Sequence, residues 1–284
     1  MKGLILFPSD YFDQSKVDED LQDEYKAAIS TGLFDITLFS YDKWFDDGVL
    51  ILTSHTDIRR KAIYRGWMMN PEQYEYFYDL LLKQNIELIT NPEEYKLMHL
   101  FTNVYPYFGK DTAKMKVYPL HQEIKVKDLK DFDKFMVKDY VKSVKGTKFP
   151  KYFDQSVTQE EFDKWMEIFY QYRGSLLTGG ICIKEYLSLK YYEGKTNEYR
   201  VVYMNHQVIS VCQNSKQPEY ASIVPQELIN KYKNLDSKYY TIDYAECEDG
   251  LWKVIEAGDG SVSGLAETEN RNLYFRKLYD CFMK

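Results

Sequence analysis

Tyr240-Thr241-Ile242-Asp243-Tyr244-Ala245-Glu246-Cys247-Glu248-Asp249-Gly250-Leu251-Trp252-Lys253-Val254-Ile255-Glu256-Ala257-Gly258-Asp259 reads as two β-rich segments flanking Asp249-Gly250, a strong two-residue hairpin signal. With Glu248 paired to Leu251, the register sets Asp243 directly across from Glu256. It also places Ile242 and Tyr244 opposite Ala257 and Ile255 on an apolar face, and turns Glu246 toward Lys253 as an ion pair. Opposed carboxylates repel unless a proton or a cation lies between them, so the register predicts a raised carboxyl pKa or a divalent metal. Gly258 and Gly260 can curl the chain back to present Asp259 as a third carboxylate. A solvated acidic hairpin end is the alternative.

Upstream, residues 199–204 and 207–212 form a second hairpin across Asn205-His206, largely apolar, with Arg200 as the one cation near its open end. A planar guanidinium there suits a phosphate or carboxylate oxygen pair; a salt bridge to Glu198 or Glu185 is the structural alternative. Further back, Phe135-Met136-Val137-Lys138-Asp139-Tyr140 is a strand. A lysine on a half-buried strand needs a charge partner or an edge, and a bound phosphate would be such a partner. Lys142, Ser143, Lys145 and Gly146 follow in a loop rich in ammonium donors and backbone N–H groups, suited to phosphates or to solvent. No G-x-x-x-x-G-K-[ST] occurs.

The rest of the chain reads as α/β. Residues 3–7, 35–39 and 49–53 are short apolar strands, the first two separated by a helical stretch over 16–30. Pro71 opens a helix over 72–84, a strand follows at 86–89, and Asn91-Pro92-Glu93-Glu94 caps a helix through Leu100. Residues 101–120, with Tyr-Pro twice and no clean period, mark a boundary. Beyond it come a strand at 134–140, a helix from the Thr158/Glu161 capping box to about 172, a strand at 181–187, a helix near Pro225 and a final helix over 267–282.

At 284 residues and 44% hydrophobic content, the chain can fill the cores of two lobes. The net charge of −7 argues against coating nucleic acid by bulk charge. That total conceals an asymmetry: residues 110–151 hold twelve Lys against six acidic residues. The 27 tyrosines fall mostly within apolar patterns, which favours packing over base stacking. The four cysteines, thirty or more residues apart with no C-x-x-C pair, read as reduced, partly buried thiols. No apolar run approaches the ~20 residues that cross a bilayer, and Pro8-Ser9-Asp10 ends the first apolar run too soon for a signal peptide, so a cytoplasmic protein with no membrane partner is expected.

The order of these elements resembles the ATP-grasp superfamily: a strand lysine and loop (Val137-Lys138 to Ser143), a hinge (Ile183-Lys184-Glu185-Tyr186-Leu187), Glu198-Tyr199-Arg200, and a hairpin carrying Asp243 and Glu256. Tyr64-Arg65-Gly66-Trp67-Met68, Ser188-Leu189-Lys190 and residues 256–265 bring it closest to the R-two-K clade, frequent in phages and bacteria. The resemblance implies two α+β subdomains (106–187 and 188–284) gripping ATP, preceded by a small α/β domain over 1–105, in the cytoplasm of a bacterium or phage-infected cell. It also implies Lys138, with Lys142, Ser143 and Lys145, on the phosphates; Lys184 and Glu185 near the adenine; Leu187 at the hinge; and Glu198 toward the ribose or second substrate. Arg200 and Lys190 would act on the transferred phosphoryl group. Asp243, Glu256 and Asp259 would hold one or two Mg²⁺ ions, or Mn²⁺. Gly258 stands where most ATP-grasp ligases have Asn, and Asp259 comes one residue later.

Such a site supports attack of a substrate carboxylate on the γ-phosphate and capture of the acyl phosphate by an amine or thiol, carried by positioning and charge neutralisation. Peptide, protein or amino acid acceptors are implied, with Arg65 and Trp67 on the substrate side. Two other classes remain: a module that binds ATP without ligation, and a nucleic-acid enzyme using the basic segment as a groove. His55, His121 and His206 read as structural; His99 is the least certain, since the clade tends to have a histidine after this helix.

Overall fold

The computed structural model describes residues 2–144 and 146–284. Three four-stranded sheets organise it. The first contains β1 (Gly3–Pro8), β2 (Phe34–Phe39), β3 (Arg60–Tyr64) and β4 (Ile86–Leu88), all parallel in the order β2-β1-β3-β4. Helices α1 (Gln22–Ser30), α2 (Tyr41–Phe45) and α3 (Pro71–Lys83) connect these strands, and α4 (Pro92–His99) and α5 (Phe101–Phe108) follow them. The starts of α3 and α4 follow from sequence. Asn70 accepts the Gln73 N–H ahead of Pro71, and Asn91 with Glu94 makes a reciprocal capping box.

Two expectations need correction here. Residues 49–53 are not a strand; only Leu52 makes an isolated bridge, to Phe39, and the sheet's third strand is Arg60–Tyr64. Val49 and Ile51 are exposed, so this apolar run lacked a face to bury. Residues 101–108 are not an irregular linker either. They form α5, with Pro106 inside it, and the expected division at 105 passes through that helix.

The second sheet contains β5 (Met115–Tyr118), β6 (Lys134–Asp139), β7 (Phe153–Asp154) and β8 (Ile181–Glu185), antiparallel in the order β5-β8-β6-β7. Phe135, Val137, Ile181 and Ile183 alternate onto one face and pack against Phe162, Met166 and Phe169 of α6 (Gln159–Arg173). Met136, Lys138 and Lys184 therefore point the other way, into a cleft.

Across that cleft lies the third sheet. A small flap, β9 (Tyr191–Tyr192) with β10 (Lys195–Thr196), precedes β11 (Glu198–Met204), β12 (Gln207–Gln213), β13 (Tyr239–Glu246) and β14 (Trp252–Asp259), in the order β12-β11-β13-β14. Between β12 and β13 runs α7 (Gln226–Lys231), and α8 (Arg271–Phe282) follows β14. One face of this sheet, with Val201, Tyr203, Ile242 and Tyr244, packs on Phe101, Val104 and Phe108 of α5. The opposite face is divided: Val202 and Met204 join Ile5, Phe7, Phe34 and Ile63 of the first sheet and Phe275 and Leu278 of α8 in one core, while Arg200 and Asp243 stay at the cleft end. The four cysteines are free, and among the described residues no helix is long and apolar enough to cross a membrane.

Candidate active site

The sheets face each other across a cleft of about 740 Å³, within the range of sites that take small ligands and cofactors. Lys138, Lys142, Ser143, Lys184, Glu185 and Leu187 line it from the second sheet, its loop and the hinge; Glu198, Asp243 and Glu256 line it from the third. Cations on one wall thus oppose carboxylates on the other.

The carboxylate wall depends on two compensating irregularities. Asp243 is opposite Glu256, as expected, but Tyr244 faces Val254, Ala245 faces Lys253 and Glu246 faces Trp252. The turn is one residue longer than the two-residue form: Cys247 N–H donates to Leu251 at 2.8 Å and Gly250 adopts φ +82°. A bulge at Ile255 then restores the pairing, so the expected Tyr244/Ile255 and Glu246/Lys253 pairs do not form. Pulled out of the ladder, the Ile255 carbonyl accepts the buried Lys184 ammonium at 2.7 Å. Lys184 also lies 4.1 Å from the Phe101 ring centroid, and burial together with the nearby Lys138 pushes its pKa down to about 7.

Each of the opposed carboxylates has a protein cation as partner. Arg200 holds Asp243 through two bonds, Nε–Oδ1 at 2.8 Å and Nη2–Oδ2 at 2.7 Å, rather than pairing with Glu198 or Glu185. Lys138 Nζ stands 3.7 Å from Glu256 Oε1. Burial pushes the Asp243 carboxyl up while the guanidinium pulls it down. The loop after β6 is fixed by Asp139, which is fully buried and accepts the Val141 N–H at 2.8 Å, the Lys142 N–H at 2.6 Å and Arg173 Nε at 2.8 Å. Nothing in the sequence pattern singled out Asp139, because its partner Arg173 lies a whole helix away. Lys145 lies outside the described residues.

A recess of about 110 Å³ adjoins the cleft and shares Lys142, Asp243 and Glu256 with it. Arg200, Asp259, His99 and Met68 also line it. Asp259 is fully buried opposite Tyr240, Oδ1 accepting the Ser261 N–H at 2.8 Å and Oδ2 without a partner among the described residues; burial pushes its pKa up to about 7. Along β14 it follows Glu256 by an odd number of residues, so its side chain takes the opposite face. Accordingly, among the described residues no three His, Cys, Asp or Glu side chains converge as a metal-holding group, and Asp243, Glu256 and Asp259 are not assembled into one set. Hard oxygen donors nonetheless suit Mg²⁺, which needs only one or two carboxylates beside water and phosphate. The Asp243/Glu256 pair meets that requirement.

Arg65 and Trp67 lie away from the cleft. Arg65, 2% exposed, bonds Glu24 twice at 2.8 Å and also donates to the Gly260 carbonyl. Gly66 N–H donates to Ser261 at 3.0 Å, and Trp67 Nε1 donates to Asp18 at 2.9 Å. The segments 64–68 and 256–265, far apart in sequence, thus dock on each other. Lys190 is likewise outside the cleft lining. It bonds Glu246 at 2.9 Å, where Tyr192 Oη at 3.0 Å and Asn197 Nδ2 at 2.8 Å also donate, tying the flap to β13.

The model of the ATP-grasp domain, R2K clade family 3, matches residues 128–278, more than half of the chain and all of the cleft's charged residues. The chain belongs to this R2K family. Three solved structures illustrate the fold. The ATP-grasp ligase PsnB complexed with minimal precursor is 10% identical, with TM-score 0.62, covering 99% of this chain and 98% of that one. D-cycloserine synthetase DcsG is 13% identical at TM-score 0.59, over 98% and 99% of the chains. The D-alanine-D-alanine ligase from Coxiella burnetii is 12% identical at TM-score 0.60, over 98% and 94%. PsnB is also seen with Mg and ADP. Among curated proteins none matches the chain in sequence.

The R2K cleft also contains Lys134 and Tyr152, which had no role in the sequence reading, beside Lys151 of the basic segment and Tyr186 of the hinge. Lys134 lies 4.7 Å from the Tyr152 ring centroid and Lys151 lies 5.5 Å from that of Tyr186, while the two tyrosine rings stand 4.7 Å apart. The lysine excess over 110–151 was the available signal, since Lys134, Lys138, Lys142 and Lys151 all line the cleft.

Proposed function

We propose that this R2K protein is an ATP- and Mg²⁺-dependent carboxylate–amine ligase that proceeds through an acyl phosphate and acts on a peptide, protein or amino acid. The observation that carries the reading is the opposition, across one cleft, of Lys138, Lys142 and Lys184 to Asp243 and Glu256. Lys138 and Lys142 are assigned to the triphosphate, and Lys184, Glu185 and Leu187 to the base. Glu198 is assigned to the ribose or second substrate, and Arg200 to the charge that develops on the transferred phosphoryl group. Asp243 and Glu256 would hold Mg²⁺, which supplies neutralisation of phosphate charge during transfer. Loading would draw Asp243 from Arg200 and Glu256 from Lys138, freeing both cations for phosphate. Lys190 is assigned to holding the flap through Glu246.

Isothermal titration with ATP, with and without Mg²⁺, followed by detection of ADP and phosphate across a panel of amino acids and peptides, tests the reading. Mg²⁺-dependent ADP release with at least one panel member is expected. ATP binding without ADP release would leave a nucleotide-binding module. Salt-sensitive RNA or DNA binding that is weakened by joint replacement of Lys142, Lys145, Lys148 and Lys151, with ATP binding intact, would instead favour a nucleic-acid enzyme.

A further inference from the structure

The two edges of the first sheet are built differently. At one, β4 is three residues long and carries Glu87 in its middle, a short, charged edge of the kind that discourages pairing with another chain. At the other, residues 49–53 run antiparallel along the end of β2. Ser40 N–H donates to the Ile51 carbonyl and Thr53 N–H to the Leu38 carbonyl, each at 2.9 Å, around the Phe39/Leu52 bridge. Because the groups of Ile51 and Thr53 point inward, backbone alternation turns those of Leu50 and Leu52 outward. Among the described residues, the N–H and carbonyl of both make no hydrogen bond. Nothing blunts this edge. From Gly48 to Thr56 there is no Asp, Glu, Lys, Arg or Pro, in a chain that is 29% charged, and Val49 and Ile51 are 49% and 45% exposed.

We infer that this edge is an interface and that its occupant is a second copy of this chain, joined by antiparallel pairing of residues 49–53 about a two-fold axis at Ile51. The free groups select that register. With Ile51 opposite its own counterpart, Leu50 of each copy lies opposite Leu52 of the other, and all four outward N–H groups find a carbonyl. An axis at Leu50 would set Leu52 against Gly48, which leaves the extended backbone at φ +68°. An axis at Leu52 would set Leu50 against Ser54, where the chain bends.

Charge favours the same arrangement. Residues 42–47 carry Asp42, Asp46 and Asp47 against Lys43, whereas residues 55–60 carry Arg59 and Arg60 against Asp57. Antiparallel pairing brings the acidic end of each copy to the basic end of the other, with Asp47 nearest His55; in-register parallel pairing would set like ends together. Val49, Ile51 and Thr53 of both copies then share one face, and the two parallel sheets continue into each other. An edge of five residues is a small contact, so the dimer belongs to the weak, concentration-dependent class. No residue lining the nucleotide cleft takes part, so the pairing stands or falls apart from the ligase reading.

Sedimentation velocity on the full chain tests this. A concentration-dependent species of twice the chain mass is expected. Ile51→Lys sets two ammonium groups against each other at the axis, and should raise the dimer dissociation constant about a hundredfold while leaving the circular dichroism spectrum native. Cysteine placement reads the register without relying on that variant. Ile51→Cys puts two thiols on a non-hydrogen-bonded pair with Cα atoms about 4.5 Å apart, within the span of a disulfide, so mild oxidation should give a covalent dimer. Val49→Cys would face Thr53 and should cross-link far more slowly; the wild-type chain, whose four cysteines are free, is the control. One-chain mass at every concentration overturns the inference and leaves the edge to a strand from another protein. A dimer that Ile51→Lys leaves intact, or one that Val49→Cys traps as readily as Ile51→Cys, overturns it as well.

Discussion

Asp243 and Glu256 sit opposite each other on neighbouring strands, Asp243 bonded by Arg200 of the same sheet and Glu256 3.7 Å from Lys138 of the facing one. Exchanging both carboxylates for amides keeps side-chain size while removing the negative charge that Mg²⁺ binding requires. Asp243→Asn with Glu256→Gln should abolish Mg²⁺-dependent ADP release and leave the circular dichroism spectrum native; full turnover would refute the metal assignment. His99 gives a pH signature of its own. Its folded pKa of about 4 lies below the ordinary 6.5, so the unfolded chain binds the proton more readily between those values. Stability should be level above pH 6.5 and fall as pH drops toward 4, by up to roughly 3 kcal/mol. Urea midpoints across that window should lose most of this slope in His99→Gln.

Elements show where sequence reading succeeded and where it stopped. The Asp243/Glu256 pairing was legible although the turn was read one residue short, because a bulge at Ile255, invisible in composition, cancelled the error. The Asn205-His206 turn was legible because both residues accept the left-handed backbone they adopt, with φ of +46° and +62°. Strand β3 was missed: Arg60-Lys61 opens it and only three apolar residues follow, too short a signal beside the misleading run at 49–53. The helix α5 was hidden by Pro106. Lys190 was legible as a family residue, but its bond to Glu246 depends on how the flap folds back on β13. That bond makes a prediction at this scale. Lys190→Met and Glu246→Gln should each weaken ATP binding, and in a calorimetric double-mutant cycle the double variant should do so by little more than either alone. Additive losses would return Lys190 to an independent role.

At the scale of the whole molecule, the three sheets are not separable blocks. Arg65 joins α1, through Glu24, to the turn after β14, and both partners are buried. Removing one member of such a pair strands the other charge, at about 3–5 kcal/mol, whereas replacing both with apolar residues recovers much of the loss. Arg65→Met should lower the urea midpoint of the entire protein, and Arg65→Met with Glu24→Leu should restore most of it. Two transitions, with only the first-sheet signal shifted, would show that the units unfold independently. The sequence hinted at this link through the family-like segments 64–68 and 256–265 but gave no sign that they touch.

The position of α8 has a consequence for synthesis. The first sheet's apolar residues Ile5, Phe7 and Phe34 are covered by Phe275 and Leu278, which the ribosome makes more than two hundred residues later. At typical elongation rates that delay is on the order of tens of seconds. During it, that face of the parallel sheet is covered only in part, by Val17 and by Ala27 and Ala28 of α1. Until α8 emerges and closes the core from the opposite end of the sequence, the exposed part of that face is a surface on which neighbouring nascent chains can associate.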